Sequence, residues 1–349
     1  MNKHIFYIAA ACAALASCVK NEVRVNAPDK EITFQTVSTK AGTAFNTNHK
    51  FYSYAFFLKD GDTWDANHDR ARAYFSNAEI SYIIPPSGTS YWAAAKPYYW
   101  PKQGSLTFFA WTDDTADPKV VGTGASVTCK HNTGIKIENY SVKDNPNKDI
   151  LVAAIAKGKK SNESATGTWE KGVPTVFRHA LAKVEFKVNK KKAYDNVTFK
   201  VKSITLNGVS TKGTFTQGSP TESWGWSTET PDALPLPVFT STTGMEVTKT
   251  AEPAPTEFDR LNPGTGDYSI VLPQNFDDTP TLTIEYEIIT TSTSFTETVI
   301  DTKKLKDIYK NGWECNKNYV LGITLGLNEI YWDPSVVGWE TGNVTDIQF

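Results

Sequence analysis

The histidines of this 349-residue chain are the first candidates for acid–base or metal chemistry, and their spacing supports neither. His49, His68, His131 and His179 show no HExxH motif and no paired spacing. His179 opens a strand-like segment, where we expect a hydrogen-bonded structural histidine rather than a metal ligand. We therefore predict no catalytic residue, no metal ion and no cofactor.

A loop with four aspartates is the second candidate, because clustered carboxylates can bind calcium. Asp60, Asp62, Asp65 and Asp69 lack the glycine and the terminal glutamate of an EF-hand loop. Their pattern is more typical of a solvated loop. The chain has no phosphate-binding loop and no Gly-x-Ser-x-Gly elbow, and paired glycosidic carboxylates would depend on a fold that spacing alone does not define.

Cys18 lies where a cysteine can be lipidated. It follows an apolar run, residues 5–15, that is too short to span a bilayer as a stable helix. Leu15-Ala16-Ser17-Cys18 resembles a bacterial lipobox, so residues 1–17 are predicted to be a lipoprotein signal peptide. In that chemistry the Cys18 sulfur carries diacylglycerol and anchors the chain in a membrane. The alternative is an ordinary signal peptide cleaved after Ala16 or Ser17.

Composition and cysteine content restrict the partners and the covalent links. The formal net charge is −2 and no dense basic face is visible, so no nucleic-acid partner is expected. Once Cys12 and Cys18 are assigned to the signal and the lipid, Cys129 and Cys315 remain, without metal-ligand spacing. Two separate buried thiols are the favoured interpretation, and a disulfide between them stays open.

The segment after Cys18 contains a tether, a strand and a stretch of small residues. Residues 19–30 are polar and without periodicity, whereas Glu31–Ser38 alternates as a strand does. Lys40-Ala41 follows directly, in a stretch where a protease could cut. Cleavage there would release the strand from the rest of the chain. The strand positions that we assign as removable are Ile32, Phe34, Thr36 and Ser38.

Short alternating segments separated by Gly and Pro dominate the rest of the chain, which predicts an all-β fold of β-sandwiches. Ser105–Trp111 is apolar on both faces, as expected inside a sandwich. In Val197–Leu206 the alternation changes parity, which predicts a β-bulge. Only Thr302–Lys310 could hold a short turn of helix.

The chain is long enough for two domains, each able to bury its own core. We place the boundary near Gly172, at the end of a loop rich in Lys, Ser, Thr and Gly. The predicted parts are a signal peptide at 1–17, a tether and removable first strand at 18–40, an N-terminal sandwich at 41–172 and a C-terminal sandwich at 173–349.

A set of motifs is spread in order over nearly the whole chain. They are the lipobox at Cys18, Ile32-Thr33-Phe34 before Thr39-Lys40-Ala41, Asp149-Ile150-Leu151-Val152-Ala153, Val176-Phe177-Arg178-His179-Ala180-Leu181-Ala182-Lys183-Val184, and Ile330-Tyr331-Trp332-Asp333-Pro334 with Val337-Gly338-Trp339. Each motif is weak alone, and their common order is what makes the set specific. In this order they resemble the fimbrillins of Bacteroidales.

This resemblance implies two tandem sandwiches of transthyretin-like topology that build a type V pilus. It implies a lipoprotein precursor at the outer membrane, from which a trypsin-like surface protease removes the first strand. The emptied groove would accept a strand from another subunit, a form of β-augmentation. Before cleavage we expect the first strand to occupy an edge of its sheet. Many relatives have an arginine at the cleaved position, where this chain has Lys40; Arg24, Arg70 and Arg72 are poorer alternatives.

The C-terminal residues leave the position within a pilus open. In stalk subunits of the family C-terminal strands act as donors, and a core-packed tail would instead indicate a tip or accessory subunit. The expected partners are other fimbrial subunits, the protease, the membrane through the lipid at Cys18, and a host or bacterial surface ligand. The apolar face of a donor strand would comprise Thr345, Ile347 and Phe349.

The main alternative function is a surface glycan-binding lipoprotein of a nutrient-uptake system, and an enzyme without a visible motif is a third. Exposed tryptophans could stack on sugar rings, whereas buried ones would close the ends of sandwiches. The second role is favoured for the tryptophans in or beside loop-like stretches, which are Trp64, Trp92, Trp100, Trp224 and Trp226.

Overall fold

The computed structural model describes residues 31–38, 45–88, 90–120, 122, 124–160, 172–231, 234–261 and 268–339. Strands dominate these ranges, so the predicted all-β class is confirmed. Helix is limited to α1 (Trp64–Asn67), a 3-10 turn at His68–Arg70, and α2 (Leu305–Ile308), which lies inside the segment predicted to hold a short turn. The described ranges contain no helix whose length and apolarity would let it cross a membrane.

The strands divide into two groups along the chain. The first ten are β1 (Phe34–Ser38), β2 (Phe51–Leu58), β3 (Arg72–Ile83), β4 (Tyr91–Ala94), β5 (Ser105–Thr112), β6 (Ser126–Lys130), β7 (Gly134–Ser141), β8 (Leu151–Ala153), β9 (Ala156–Lys159) and β10 (Val173–His179). The others are β11 (Ala182–Lys190), β12 (Val197–Asn207), β13 (Lys212–Thr216), β14 (Gly225–Thr228), β15 (Leu236–Glu246), β16 (Asp259–Arg260), β17 (Tyr268–Val271), β18 (Thr281–Thr290), β19 (Phe295–Lys304), β20 (Lys317–Leu325) and β21 (Ile330–Gly338).

The N-terminal sheet closes on itself. Its strands follow the order β2-β3-β4-β1-β10-β8-β5-β9, and β5 also pairs with β2. All eight residues of β5 are buried, as its apolar sequence predicted. Phe108 packs in the cluster beneath β1, and Phe109 packs in a second cluster with Ile137 and Phe215. Each face of β5 therefore covers a different core.

A sheet in the order β14-β13-β7-β6 joins the two halves of the chain, because β7 pairs with β13. The predicted boundary at Gly172 is followed directly by β10, which pairs with β1 and β8 of the N-terminal sheet. A boundary placed after His179 keeps the N-terminal sheet whole, although the pairing of β7 with β13 still crosses it.

The C-terminal sandwich consists of two sheets. One has the order β16-β11-β20-β21, with β17 also paired to β11, and the other has the order β15-β12-β18-β19. Alternate residues of β11 face the core between them, where Phe186, Ile284 and Ile323 are buried. The register of β12 shifts between Val201 and Ser203 against both neighbours, so the predicted β-bulge is confirmed.

Candidate site at the first strand

The first strand, β1, closes the N-terminal sheet between β10 and β4. It runs parallel to β10 through five residue pairs, from Phe34↔Val173 to Ser38↔Phe177. Toward β4 it forms one pair, Phe34↔Trp92. The prediction that the strand occupies an edge was wrong, because the sheet curves round until β4 reaches the far side of β1. The side of β1 that faces β4 is the weakly paired one.

Two apolar side chains at the start of this segment point into the N-terminal core. Ile32 is 2% exposed and Phe34 is 3% exposed, as their alternation predicted. The ring of Phe34 meets Phe51 and Phe108 edge-on, with centroids 5.6 Å and 5.8 Å away. Burial of two such side chains contributes about 3–6 kcal/mol. Of the other two positions in the predicted set, Thr36 is half-buried and the main chain of Ser38 pairs with Phe177.

Backbone hydrogen bonds extend the attachment towards the start of the described segment. The Ile32 amide donates to the Tyr98 carbonyl at 2.7 Å, and the Val173 amide donates to the Thr33 carbonyl at 2.8 Å. Glu31 adds an isolated bridge to Tyr99. The segment 31–34 is therefore held on both sides by main-chain contacts, whereas the rest of β1 pairs with β10 alone.

Gly172 brings the chain close to β1, and sequence patterns did not identify it as part of this site. Its φ is +110°, and a Cβ there would lie 2.7 Å from the backbone N and C of Phe34. An L-residue is disfavoured at that φ and has no space there. The only sequence signal was a glycine at the end of a polar loop.

The floor beneath β1 is apolar and closely packed. Phe51 and Phe177 are fully buried, and Phe108 is 3% exposed. The void between β1 and this floor, lined by Phe34 and Ala153 among others, measures only about 10 Å³. Such a void holds at most one water molecule, so β1 fits its seat closely.

The remaining residues assigned to lipidation, cleavage and strand donation lie outside the described residues. They are Cys18, Lys40, Ala41, Thr345, Ile347 and Phe349. The segment 39–44 connects β1 to Phe45, so a cut after Lys40 would separate β1 from the rest of the chain.

The polar residues considered for chemistry form local pairs. Two aspartates of the acidic loop form ion pairs with basic side chains. Asp65 lies 2.6 Å from Lys157, and Asp62 lies 3.4 Å from Arg70. His49 lies 2.9 Å from Asp114. In the parts of the chain that the structure describes, no three His, Cys, Asp or Glu side chains are placed to share a metal ion.

Both remaining cysteines are free thiols in the described part of the chain. Burial raises the pKa of Cys315 to about 12 and the pKa of Cys129 well above its usual value, so both stay protonated at neutral pH. Among the tryptophans, Trp64 and Trp92 are core residues. The other three considered from the sequence, Trp100, Trp224 and Trp226, are half-buried.

A sequence profile described as fimbrillin-like matches residues 36–339. The chain belongs to the fimbrillin-like family. The match begins within β1, two residues after Phe34, and ends at Trp339, the last described residue. The family resemblance inferred from motif order is confirmed.

Solved structures support the same fold for this fimbrillin-like chain. A fimbrial protein from Bacteroides vulgatus is similar with a TM-score of 0.63 and 16% identity, over 88% of this chain and 99% of that one. A candidate cell adhesion protein from Bacteroides uniformis gives a TM-score of 0.50 and 13% identity, over 88% and 98% of the two chains. At such identities the likeness concerns the fold alone. No curated protein sequence matches this chain.

Three of the family-like motifs meet in space, which their separation in sequence did not reveal. His179, at the end of β10, is buried, hydrogen-bonds to Asp149 and stacks on Trp339 with ring centroids 4.0 Å apart and an interplanar angle of 2°. Asn316 joins them, since its side chain accepts from the His179 amide and its carbonyl accepts from the Trp339 amide. These contacts tie the end of β10 to the end of the described chain.

Proposed function

We propose that this fimbrillin-like chain is a structural subunit of a surface fimbria that serves adhesion, and that β1 is a temporary strand that a neighbouring subunit replaces. The observation that carries the proposal is the way in which β1 is held in the N-terminal sheet. The strand lies near the N-terminus, has one full ladder, and buries two apolar side chains over an apolar floor. A strand held in this way can leave without unravelling the other strands of its sheet.

Removal of β1 would open the closed sheet between β4 and β10. The unpaired edge of β10 and the apolar floor around Phe51 and Phe108 would then be exposed, which favours association with another chain. An incoming strand that replaces β1 must run parallel to β10. It must also carry apolar side chains at the two positions that Ile32 and Phe34 vacate.

In this scheme the precursor reaches the outer membrane as a lipoprotein anchored through Cys18. A trypsin-like protease cuts after Lys40, which leaves Ala41 as the new N-terminus and detaches both the lipid and β1. Before the cut, β1 fills its own groove and prevents early polymerisation.

Limited trypsin treatment of the chain without residues 1–17 tests the cut and its consequence. We expect mass spectrometry to find Ala41 at the N-terminus and size-exclusion chromatography to show a ladder of oligomers. Lys40→Ala should block both changes. Lys30→Ala is the matched control, because a cut at residue 30 precedes β1 and leaves the strand in its seat.

Two outcomes would contradict the proposal. Assembled protein that retains residues before Ala41 would show that β1 need not leave. A cleaved chain that stays monomeric would show that loss of β1 does not drive assembly, and would favour the glycan-uptake alternative instead.

We further propose that a stalk role would use the C-terminal residues as the donor strand. Ile347→Asp places a charge on the proposed apolar face and should prevent polymerisation of the cleaved chain. Gln348→Asp adds the same charge on the opposite face and should leave polymerisation unchanged. Equal polymerisation by both variants would show that the C-terminal residues are not the donor strand.

A further inference from the structure

A groove distant in the chain from β1 opens beside β14. Its volume is about 720 Å³, within the range of roughly 300–1,000 Å³ that is typical of small-molecule sites. Trp224 and Trp226 line it from the β14 side, and Trp313 lines it from the segment that precedes β20. Gln274, Asn275 and Glu314 supply polar groups. We propose that this Trp groove, defined by these six residues, binds a neutral carbohydrate.

The aromatic side chains of the groove are fixed in place by their other contacts. The Trp226 indole N–H donates to the Ala180 carbonyl at 2.6 Å. The Trp224 ring lies under the Arg178 guanidinium at 4.6 Å and meets Phe215 edge-on at 5.4 Å. Both indoles nevertheless stay half-exposed. Rings held in this way lose little freedom when a ligand arrives, which favours binding.

The groove combines the two kinds of surface that a sugar presents. A pyranose ring has an apolar C–H face, which packs on indole rings, and an equatorial belt of hydroxyls, which needs amides and carboxylates. Trp224 and Trp226 present half-exposed rings to the groove, whereas Trp313 is 2% exposed and belongs to its floor. The side chains of Asn275 and Glu314 are exposed and can form hydrogen bonds with the hydroxyls of a sugar in the groove.

The charges around the groove favour a neutral ligand over an anion. Glu314 is the one charged side chain among the described lining residues, and the buried Cys315 thiol stays neutral. The Arg178 guanidinium that covers Trp224 is already paired with Glu222. The Glu314 carboxylate would repel a phosphate or an acidic sugar, and no cationic side chain of the described residues lines the groove to offset that repulsion. A neutral hydroxyl can instead donate a hydrogen bond to the carboxylate.

An extended peptide added to the free edge of β14 is the competing occupant. β14 has four residues, so it offers only a short ladder of backbone hydrogen bonds. A sugar uses the aromatic walls instead and needs no ladder. None of the lining residues belongs to β1, β4 or β10, so the carbohydrate site does not depend on strand exchange.

Saturation-transfer NMR and tryptophan fluorescence titration of the uncleaved chain, with millimolar methyl glycosides of glucose, galactose, mannose and N-acetylglucosamine, test the site. We expect at least one glycoside to bind. Trp224→Ala should weaken it by about tenfold or more, and Trp224→Phe should weaken it less, because a ring remains. Trp332→Phe, a half-buried tryptophan on β21, is the matched control and should bind as the parent does.

A double variant, Asn275→Ala with Glu314→Ala, decides the matter if Trp224→Ala fails to fold, because both side chains are exposed. It should also weaken binding by about tenfold or more. The proposal is overturned if no glycoside binds, if binding survives these changes, or if only an extended peptide binds. Failure would leave the cleavage and assembly experiments unaffected, since they have a separate readout.

Discussion

The first strands of the two main sheets are attached in the same way but to different extents. β1 pairs in parallel with β10 through five residue pairs, and β11 pairs in parallel with β20 through eight. On the opposite side β1 has one pair with β4, whereas β11 has four pairs with β17 and two with β16. Both strands bury phenylalanine, with Phe34 3% and Phe186 5% exposed.

The difference between these strands lies in hydrogen bonding and chain connection rather than in apolar burial. β11 continues into β12 at one end and follows β10 after two residues at the other, so it cannot leave without disrupting two sheets. No strand of the described residues precedes β1. The proposed strand exchange would make the parallel closure of the N-terminal sheet reversible, whereas the chain connections of β11 keep the closure of the C-terminal sandwich in place.

The largest effect should come from removing the two phenylalanine rings in turn. Phe34→Ala and Phe186→Ala should each cost about 3–5 kcal/mol, because both rings are buried. In β11 the whole loss should appear in the global free energy of unfolding. In β1 most of it should appear as local release, so hydrogen exchange should accelerate at residues 34–38 while the C-terminal sandwich keeps its protection. Equal global destabilisation by both variants would show that β1 is as permanent as β11.

A smaller effect should follow from Gly172→Ala. The methyl group would meet the Phe34 backbone at 2.7 Å, at a φ of +110°, and should destabilise the docking of β1 by roughly 1–3 kcal/mol. Faster trypsin cleavage after Lys40 would report it. Gly338→Ala on β21 is the control, since a Cβ there has no neighbour within 4 Å. Unchanged cleavage in Gly172→Ala would mean that the close approach does not hold β1.

The stacked rings of His179, at the end of β10, and Trp339, directly after β21, should contribute less to the free energy of unfolding. A double-mutant cycle with His179→Ala and Trp339→Ala should give a coupling free energy of about 0.5–1.5 kcal/mol in urea unfolding. The cycle cancels the separate cost of leaving Asp149 without His179. A coupling free energy near zero would mean that the stacked rings do not link the two sheets.

The parts of this fold that the sequence predicted are those with a clear apolar pattern. β5 is apolar on both faces, and the β12 bulge appears as a change of parity. β19 gave no signal, because most of its residues are exposed and its sequence is largely polar. β3, half of whose residues are exposed, was not predicted either. Alternation alone does not identify strands of that kind.

At the candidate site the sequence predicted which side chains are buried but not what holds them. Ile32 and Phe34 follow from local alternation. The partner strand β10 lies more than 130 residues further along the chain, and parallel pairing at that distance leaves no local pattern. The same holds for Gly172, whose role depends on the backbone of Phe34 beside it. Closure of the sheet around β1 is likewise a property of the whole fold.

The smallest predicted effect is a pH dependence of the melting temperature. It should arise from ion pairs in the C-terminal half of the chain and not from β1. Hydrogen bonds from Lys304, at the end of β19, and from Lys306, in α2, lower the pKa of Asp278 to about 2. A carboxyl whose pKa is lower in the folded state stabilises the fold above its unfolded pKa of about 4, and that contribution disappears as the pH falls towards 2. Asp278→Asn should therefore lower the melting temperature slightly at about pH 6, and this difference should shrink as the pH falls through 2.

The attachment of β1 should not follow this pH dependence, because the contacts that hold it are apolar and main-chain. Hydrogen exchange at residues 34–38, corrected for the intrinsic effect of pH, should show the same protection in Asp278→Asn and in the parent across this interval. Lys306→Gln should reproduce part of the loss in melting temperature at about pH 6, since it removes one of the two donors. A difference in melting temperature between Asp278→Asn and the parent that does not shrink between pH 6 and pH 2 would exclude the ion pairs of Asp278 as its cause. If Asp278→Asn also lowered the hydrogen-exchange protection of residues 34–38, the stability of β1 would be coupled to that of the C-terminal sandwich. The distinction between a reversible β1 and a permanent β11 would then have to be abandoned.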